Sequence, residues 1–342
     1  MKTIRWGIIG CGDVTEIKSG PGFAKSTGSE LVAVMRRDGA KAADYARRHD
    51  VARWYDNADA LIGDAGVDAV YVATPPDAHE DYALKVCAAG KPCYVEKPMS
   101  RNADEAKRMV AAFDARRLPL YVAYYRRGLP RFVKAKQIID SGALGVLKTV
   151  EYRYSDGQMR TRLNPVPWRL KAEIAGGGFF LDLASHALDL LDWLAGPLMY
   201  VQGTASNVAR QYDVEDRVEM TFSTPANVPG SARWYFSDDK RTDEFRFAGN
   251  LGELRFSCFG GEPVRVRHIN GREEAFDLPN PPHVGQPLIQ MIVEELRNPA
   301  GPIKSPTTGA SALRTQIVMD QALQSYYGGR EDGFWNRPWA NA

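Results

Sequence analysis

An apolar stretch at residues 4–9 runs straight into Gly10-Cys11-Gly12-Asp13-Val14-Thr15, and this junction constrains the fold of the chain more than any other feature. Gly10 allows a tight turn, and Gly12 carries no side chain to block an approach to the backbone. A helical segment follows, whose N-terminus favours an anion such as a pyrophosphate. Further apolar runs at 31–35, 69–73, 92–95 and 120–124 alternate with Ala-, Arg- and Lys-rich segments of helical spacing at 39–49, 78–89 and 102–115. Strands alternating with helices predict an α/β domain with a doubly wound parallel sheet, a Rossmann domain over residues 1–125.

Details of the turn qualify this reading. The third glycine of the dinucleotide fingerprint is Thr15, which should keep the helix slightly further from the sheet. The alternative is a tight turn with no ligand. Ser19-Gly20-Pro21-Gly22 should interrupt the first helix and leave a second short piece through 23–26.

A length of 342 residues exceeds what one core usually supports. Beyond residue 150, strand-like runs at 199–206, 217–223, 230–236, 243–247, 253–258 and 264–268 follow one at 146–154, often with period two. They predict a C-terminal α+β domain over 126–342 with an open, mostly antiparallel sheet. Helices at 132–141, 181–194 and 286–297 are expected on that sheet, and a last helix at about 308–325 is expected to return to the first domain.

The net charge of +2, without a basic block interleaved with aromatics, gives no reason for a nucleic-acid partner. Four cysteines at 11, 87, 93 and 258 and five dispersed histidines fit neither a zinc site nor a disulfide framework, so no metal is predicted. Cys11 reads as a small filler in the turn. Met1 leads directly into a strand, without the pattern of a signal peptide, and no run approaches the length of a membrane span. A cytoplasmic protein is expected.

The end of the second strand bears on the cofactor. A fold that selects NAD places an acid there for the ribose hydroxyls. This chain offers Arg36-Arg37, whose planar donor forks suit a 2′-phosphate, so NADP is expected. If the arginines are merely exposed and Asp38 accepts from the ribose, the cofactor is NAD.

Three more clusters follow. Thr74-Pro75-Pro76 ends the third expected strand and forms a stiff wall, with His79 either touching the cofactor or held structurally. Glu96-Lys97-Pro98 follows a buried strand, at the strand end where such folds hold ligand. A lysine there can exchange a proton with a substrate oxygen. Read alone, it is equally a solvated loop lysine. Gly176-Gly177-Gly178 precedes Asp182 and His186, four apart on one helix face. That couple can hold a proton and orient an imidazole, with Asp189 as a further acid. Its structural alternative is a helix start with a core histidine.

In order along the chain, Gly10-Cys11-Gly12, Thr74-Pro75 with His79, Glu96-Lys97-Pro98, Tyr124-Tyr125-Arg126-Arg127, Trp168-Arg169 and the triple glycine with Asp182 and His186 resemble the glucose–fructose oxidoreductase and inositol dehydrogenase (Gfo/Idh/MocA) family. The resemblance covers nearly the whole chain. It implies hydride transfer between a nicotinamide cofactor and a sugar, ketosugar or cyclitol. It makes Lys97, Asp182 and His186 catalytic, leaving open which of Lys97 and His186 is the proton donor. Together with the residue readings above, it assigns Gly10, Cys11, Gly12, Asp13, Val14, Arg36, Arg37, Thr74, Pro75, Pro76, His79, Glu96, Lys97, Trp168 and Arg169 to the cofactor, of which Trp168 and Arg169 rest on the resemblance and Arg36 and Arg37 on their donor geometry alone. Tyr125 and Arg126 join Asp182 and His186 on the substrate. Tyr125 and Pro76 stand where many members carry asparagine, which leaves the particular substrate open.

Tyr124, Tyr125, Tyr154, Trp168, Trp234 and Tyr235 are candidate walls for a sugar ring, and Arg160 and Arg162 candidate contacts for an acidic substituent. Two rival functions are a glycoside hydrolase that oxidises its sugar transiently and a non-catalytic dinucleotide-binding regulator. By analogy of fold, an exposed sheet face points to a homodimer or homotetramer.

Overall fold

A computed structural model describes residues 2–330, 333 and 334. The chain forms two compact units. The first comprises Met1–Ser100, Glu105–Leu129 and Asn280–Leu313, and the second Arg101–Asp104, Pro130–Pro279 and Arg314–Ala342. The units therefore do not follow one cut at 125/126. The end of the expected second domain, at 331–332 and 335–342, lies outside the described residues.

In the first unit, β1 (Ile4–Ile9), β2 (Ser29–Met35), β3 (Arg53–Tyr55), β4 (Ala69–Val72), β5 (Cys93–Val95) and β6 (Leu120–Val122) form a sheet in the order β3-β2-β1-β4-β5-β6. All its pairings are parallel. The strand order reverses between β1 and β4, and ligands of doubly wound sheets bind outside the strand C-termini at that point. The strands β1, β4 and β5 read as apolar runs because both faces are covered. The sequence did not reveal β3, whose three half-exposed edge residues are too few to display a period.

The intervening helices are α1 (Asp13–Ile17), α2 (Gly20–Lys25), α3 (Gly39–Arg48), α4 (Ala58–Gly63), α5 (His79–Ala88) and α6 (Ala103–Arg116). The expected break separates α1 from α2. A side chain at Gly20 would collide with the Thr15 carbonyl and the Tyr45 hydroxyl. Alternate residues of β4 enter opposite cores. Val70 and Val72 pack with Leu61, Val86 and Phe113, whereas Tyr71 packs with Trp6, Phe23 and Tyr94. The second of these cores is completed by the helix Gln286–Arg297, through Leu288, Ile289, Ile292 and Val293. This corrects the expectation that the helix lies on the other sheet. Its spacing defines an apolar stripe but not the surface the stripe covers.

The second unit holds an eight-stranded sheet in the order β14-β13-β12-β11-β7-β10-β9-β8. The strands are β7 (Leu147–Ser155), β8 (Met199–Ser206), β9 (Arg217–Ser223), β10 (Pro229–Tyr235), β11 (Thr242–Gly249), β12 (Gly252–Phe256), β13 (Val264–His268) and β14 (Glu273–Phe276). Only β7 and β10 pair in parallel. Alternation along β9 and β10 buries Val218, Met220, Phe222, Ala232 and Trp234 and turns the intervening residues outward. The outward face carries ion pairs, with Arg246 between Glu151 and Glu253 at 3.1 and 2.6 Å. The edge strand β14, Glu273-Glu274-Ala275-Phe276, was not expected from the sequence.

The helices of this unit are α7 (Pro130–Asp140), α8 (Ala172–Ala175) and α9 (Ser185–Ala195), and the later helices of the chain are α10 (Gln286–Arg297) and α11 (Gly309–Tyr327). The unit boundary falls within α11, between Leu313 and Arg314. Ala312 belongs to a core of the first unit, whereas Ala322 lies so close to Gly203 of β8 that a Cβ on Gly203 would be 2.6 Å away. The opening turn of α11 thus lies in the first unit and the rest of the helix in the second. Among the described residues one helical stretch, Ala172–Ala195, is long and apolar enough to cross a membrane, and 83% of it is buried inside the protein.

Candidate active site

Gly10 leaves β1 with φ +89°, in the left-handed region. A Cβ there would sit 2.9 Å from Thr74 Cγ2 and 3.0 Å from the Thr74 nitrogen. Gly12 is extended, at φ −152° and ψ −157°. A Cβ on it would meet only the Gly10 carbonyl oxygen, 3.8 Å away, so the space beside it is open. Cys11 is buried, and burial pushes its thiol up to about 11, which suits a filler better than a nucleophile. Thr15 is buried and folds back on the turn. Its hydroxyl donates to the Gly12 carbonyl at 2.8 Å and accepts the Gly12 N–H at 3.0 Å. Asp13 and Val14 begin α1 beside it.

Arg36 and Arg37 are exposed just beyond β2. The Arg36 guanidinium donates to the Cys11 carbonyl at 3.3 Å, which ties the end of β2 to the glycine turn. Asp38 is engaged elsewhere. Its carboxylate accepts the Lys41 N–H at 3.2 Å and pairs with the Lys41 ammonium at 3.1 Å, capping α3. These bonds to Lys41 lower its pKa.

Thr74-Pro75-Pro76 extends beyond β4. The Thr74 hydroxyl is buried and has no hydrogen-bond partner among the described residues. His79 is fully enclosed, with Nε2 2.7 Å from the Thr74 carbonyl and Nδ1 3.0 Å from the Pro98 carbonyl. Burial pushes its pKa down to about 4. The neutral ring has one N–H for two carbonyls, and it links the turn after β4 to the turn after β5. The second turn carries Glu96-Lys97-Pro98, with Lys97 partly exposed. Tyr71 donates its hydroxyl to Glu96 Oε1, and Lys97 donates its N–H to Glu96 Oε2 at 3.1 Å. Desolvation raises the pKa of Glu96. Beyond β6 a short 3-10 turn, Tyr125–Gly128, places the buried Arg126 guanidinium 5.1 Å from the Tyr125 ring.

The first unit thus gathers Gly10 to Val14, Arg36, Arg37, Thr74 to Pro76, Glu96, Lys97 and Tyr125 beyond the C-terminal ends of β1, β2, β4, β5 and β6. The set suits a dinucleotide in three respects. Gly12 leaves open space beside the backbone, the Thr74 hydroxyl lacks a partner, and two arginines stand free of Asp38.

In the second unit, Trp168 and Arg169 lie in a 3-10 turn, with the guanidinium 4.4 Å from the indole. Arg169 pairs with Asp182 at 3.2 Å. The triple glycine is tightly packed. Gly176 takes φ +85°, where a Cβ would be 2.5 Å from the Arg101 carbonyl, and one on Gly178 would be 2.7 Å from the Glu215 carbonyl. Asp182 follows in a π-helical turn, Phe180–Ala184, and His186 in the first turn of α9. The expected single regular helix across both is therefore a π turn leading into an α-helix. Such turns frequently mark functional sites. His186 is buried, with Phe259 edge-on at 6.2 Å. Asp189 is buried in the same helix, and Arg314 clasps Asp192 with two bonds of 2.9 and 2.7 Å.

Of the expected ring walls, Tyr124 and Trp234 lie in cores, Tyr154 is buried against Phe236 and Phe259, and Tyr235 packs on Arg217. Tyr125 and Trp168 keep partial exposure. Arg160 pairs with Asp239, and Arg162 donates to the Gln211 carbonyl at 3.0 Å. Two buried supports escaped the sequence reading. One is Tyr71 beneath Glu96. The other is Glu215, which accepts the Gly178 N–H at 2.9 and 3.0 Å and the Tyr327 hydroxyl at 2.5 Å. An acid beside a strand start and a tyrosine inside an apolar strand were the available signals.

A parallel sheet in this strand order, with a glycine turn after its first strand, is the arrangement of a dinucleotide-binding fold. Residues 4–124 match the oxidoreductase family with an NAD-binding Rossmann fold, and residues 132–255 match the GFO/IDH/MocA C-terminal domain. Oxidoreductase P35 of Formosa agariphila is 39% identical over 294 residues, covering 85% of this chain and 90% of that protein. Trans-1,2-dihydrobenzene-1,2-diol dehydrogenase of Sus scrofa is 29% identical, covering 82% and 81%. Among solved structures, the fold is shared with aldose–aldose oxidoreductase from Caulobacter crescentus, at a TM-score of 0.83 and 22% identity over 95% of this chain and 97% of that one. It is shared too with levoglucosan dehydrogenase, at 0.82 and 20% over the same shares. This chain belongs to the Gfo/Idh/MocA oxidoreductase family. It is an NAD(P)-dependent dehydrogenase or reductase working on CH–OH groups.

Proposed function

We propose that the protein uses NADP to interconvert a carbinol and a carbonyl on a sugar, ketosugar or cyclitol, with Lys97 exchanging the proton of the reacting oxygen. The observation that carries the reading of the cofactor is the division of labour after β2. Asp38 is engaged in capping α3, and Arg36 and Arg37 are left to meet a 2′-phosphate. Gly10 to Val14 would take the pyrophosphate, and the Thr74 hydroxyl would find its missing partner in the cofactor. Pro75, Pro76 and the Glu96-Lys97 backbone would wall the site, with His79 fixing both turns from behind. Trp168 and Arg169 are assigned to the cofactor by the family resemblance. When bound, the nicotinamide supplies the hydride acceptor or donor.

Lys97 follows β5 with its backbone fixed by Glu96, so the ammonium starts from a defined point. A positioned acid or base of this kind contributes about 10²–10⁴-fold to rate. Asp182 and His186 are assigned to the substrate and to catalysis, as are Tyr125 and Arg126 to the substrate. The Arg169 guanidinium, 3.2 Å away, holds the Asp182 carboxylate in place. Relatives named for levoglucosan and for a dihydrobenzene diol support a cyclic polyol as substrate. We also assign the enzyme to the cytoplasm, and to a homodimer or homotetramer joined through the outward sheet face.

Titration with NADP and NAD, followed by a turnover screen of sugars, ketosugars, cyclitols and trans-diols, tests this reading. Lys97→Met should lower turnover by about 10²-fold or more and leave NADP affinity nearly intact. Wild-type turnover in that variant removes Lys97 from the mechanism.

A further inference from the structure

We propose that Tyr71 is a positioning residue for Lys97, acting through Glu96; this role rests on the reading of Lys97 above. Tyr71 is wholly buried in β4. Its ring stacks on Tyr94 of β5 at 4.8 Å and tilts against Phe23 of α2 at 5.2 Å, so it has little freedom. The hydroxyl donates to Glu96 Oε1, while Glu96 Oε2 receives the Lys97 N–H at 3.1 Å. On its other side the Tyr71 oxygen is 3.2 Å from Ser19 Oγ, which is 3.2 Å from the Val14 carbonyl. One line of polar groups therefore runs from α1, which follows the glycine turn, to the backbone of Lys97.

A buried tyrosine hydroxyl needs a partner, but it does not need a carboxylate. A phenylalanine and a glutamine would fill the same space without the cost of desolvating a charge. What the carboxylate adds is a strong acceptor for the Lys97 N–H and a negative charge beside the Lys97 ammonium. The titratable groups that face Glu96 are Tyr71, Tyr94, Lys97 and Lys18. Tyr71 and both lysines favour its ionised form, and burial opposes it.

The ionised carboxylate is the working form, so turnover should fall as pH drops through the raised pKa of Glu96. Tyr71→Phe removes the donor that stabilises this form, and the acid limb should then move to higher pH, by about one unit. Turnover of the fastest sugar in the screen should drop about tenfold, while NADPH affinity by fluorescence titration changes less than about twofold. Carbon-13 NMR of labelled glutamate should show the Glu96 carboxyl titrating at higher pH in this variant. In Glu96→Gln the acid limb should disappear.

A Tyr71→Phe enzyme with normal turnover and an unmoved acid limb overturns the proposal, as does a variant that loses only thermal stability. If Tyr71→Phe does not fold, Glu96→Gln decides alone, and an acid limb surviving there overturns the proposal. Full turnover in Lys97→Met overturns the reading of Lys97 and this role with it. An inactive Lys97→Met beside an unaltered Tyr71→Phe overturns the role of Tyr71 and leaves that reading standing.

Discussion

Glu215 straddles the backbone N–H of Gly178 with both carboxylate oxygens, at 2.9 and 3.0 Å. The acceptor is wholly buried, and it also receives the hydroxyl of Tyr327 from the last helix. A glycine run that precedes the π turn is thereby held by a side chain 37 residues further along.

Replacing Glu215 by alanine leaves two buried donors without an acceptor. The expected loss is roughly 2–4 kcal/mol, read as a lower urea midpoint at unchanged slope. Tyr327→Phe removes one donor and should cost about 1 kcal/mol. Burial raises the pKa of Glu215, so the folded chain holds this proton more tightly than the unfolded one. Its contribution to stability is then greatest in acid and declines as pH rises through the raised pKa. Glu215→Gln has no such decline, so it should gain on the wild type as pH rises. A constant difference across pH contradicts this account.

His79 gives the opposite slope. Its folded pKa, near 4, lies below the ordinary histidine value of 6.5. The unfolded chain therefore binds the proton more readily, and stability is complete above about pH 6.5 and lost on the way down towards 4. The full loss is on the order of 3 kcal/mol. Urea midpoints between neutral and acid pH should show this slope in the wild type and a flatter one in His79→Gln. An equal slope in both proteins excludes His79 as its source.

Cofactor choice should reside in two side chains. Each charge-assisted bond to a phosphate contributes about 1.5–3 kcal/mol, so the double variant Arg36→Ala, Arg37→Ala should bind NADP about 100-fold or more weakly. NAD affinity should change less than about threefold. Equal weakening of both cofactors assigns the arginines to general attraction instead.

Gly10→Ala places a methyl group against Thr74 in a left-handed backbone. A loss of about 1–3 kcal/mol in stability is expected, together with much weaker dinucleotide binding. Calorimetry with and without NADP measures both. A variant as stable as the wild type, with normal affinity, contradicts the close packing of this turn.

Much of the fold was legible because its signals are local. Apolar runs bounded by glycine, proline and charge marked β1, β4 and β5, and period two marked β9 and β10. The clash at Gly20 shows why the break between α1 and α2 was written so plainly. The strands β3 and β14 lacked such signals, being short and polar or half-exposed. The sequence also indicated that residues 286–297 form an amphipathic helix but not that its stripe meets Trp6 and Phe23, since pattern carries no address. Motif spacing singled out Gly10, Lys97, Asp182 and His186 as candidates for the site. Tyr71 and Glu215 were hidden because their roles arise from contacts across distant segments.

The placement of α10 also bears on how the molecule is made. Trp6 and Phe23 leave the ribosome well before the helix that covers them, which carries Leu288, Ile289, Ile292 and Val293. The first unit must therefore wait, with part of its apolar surface bare, until residues 286–297 have been synthesised. A nascent chain halted before residue 286 should recruit chaperones that the finished protein no longer needs.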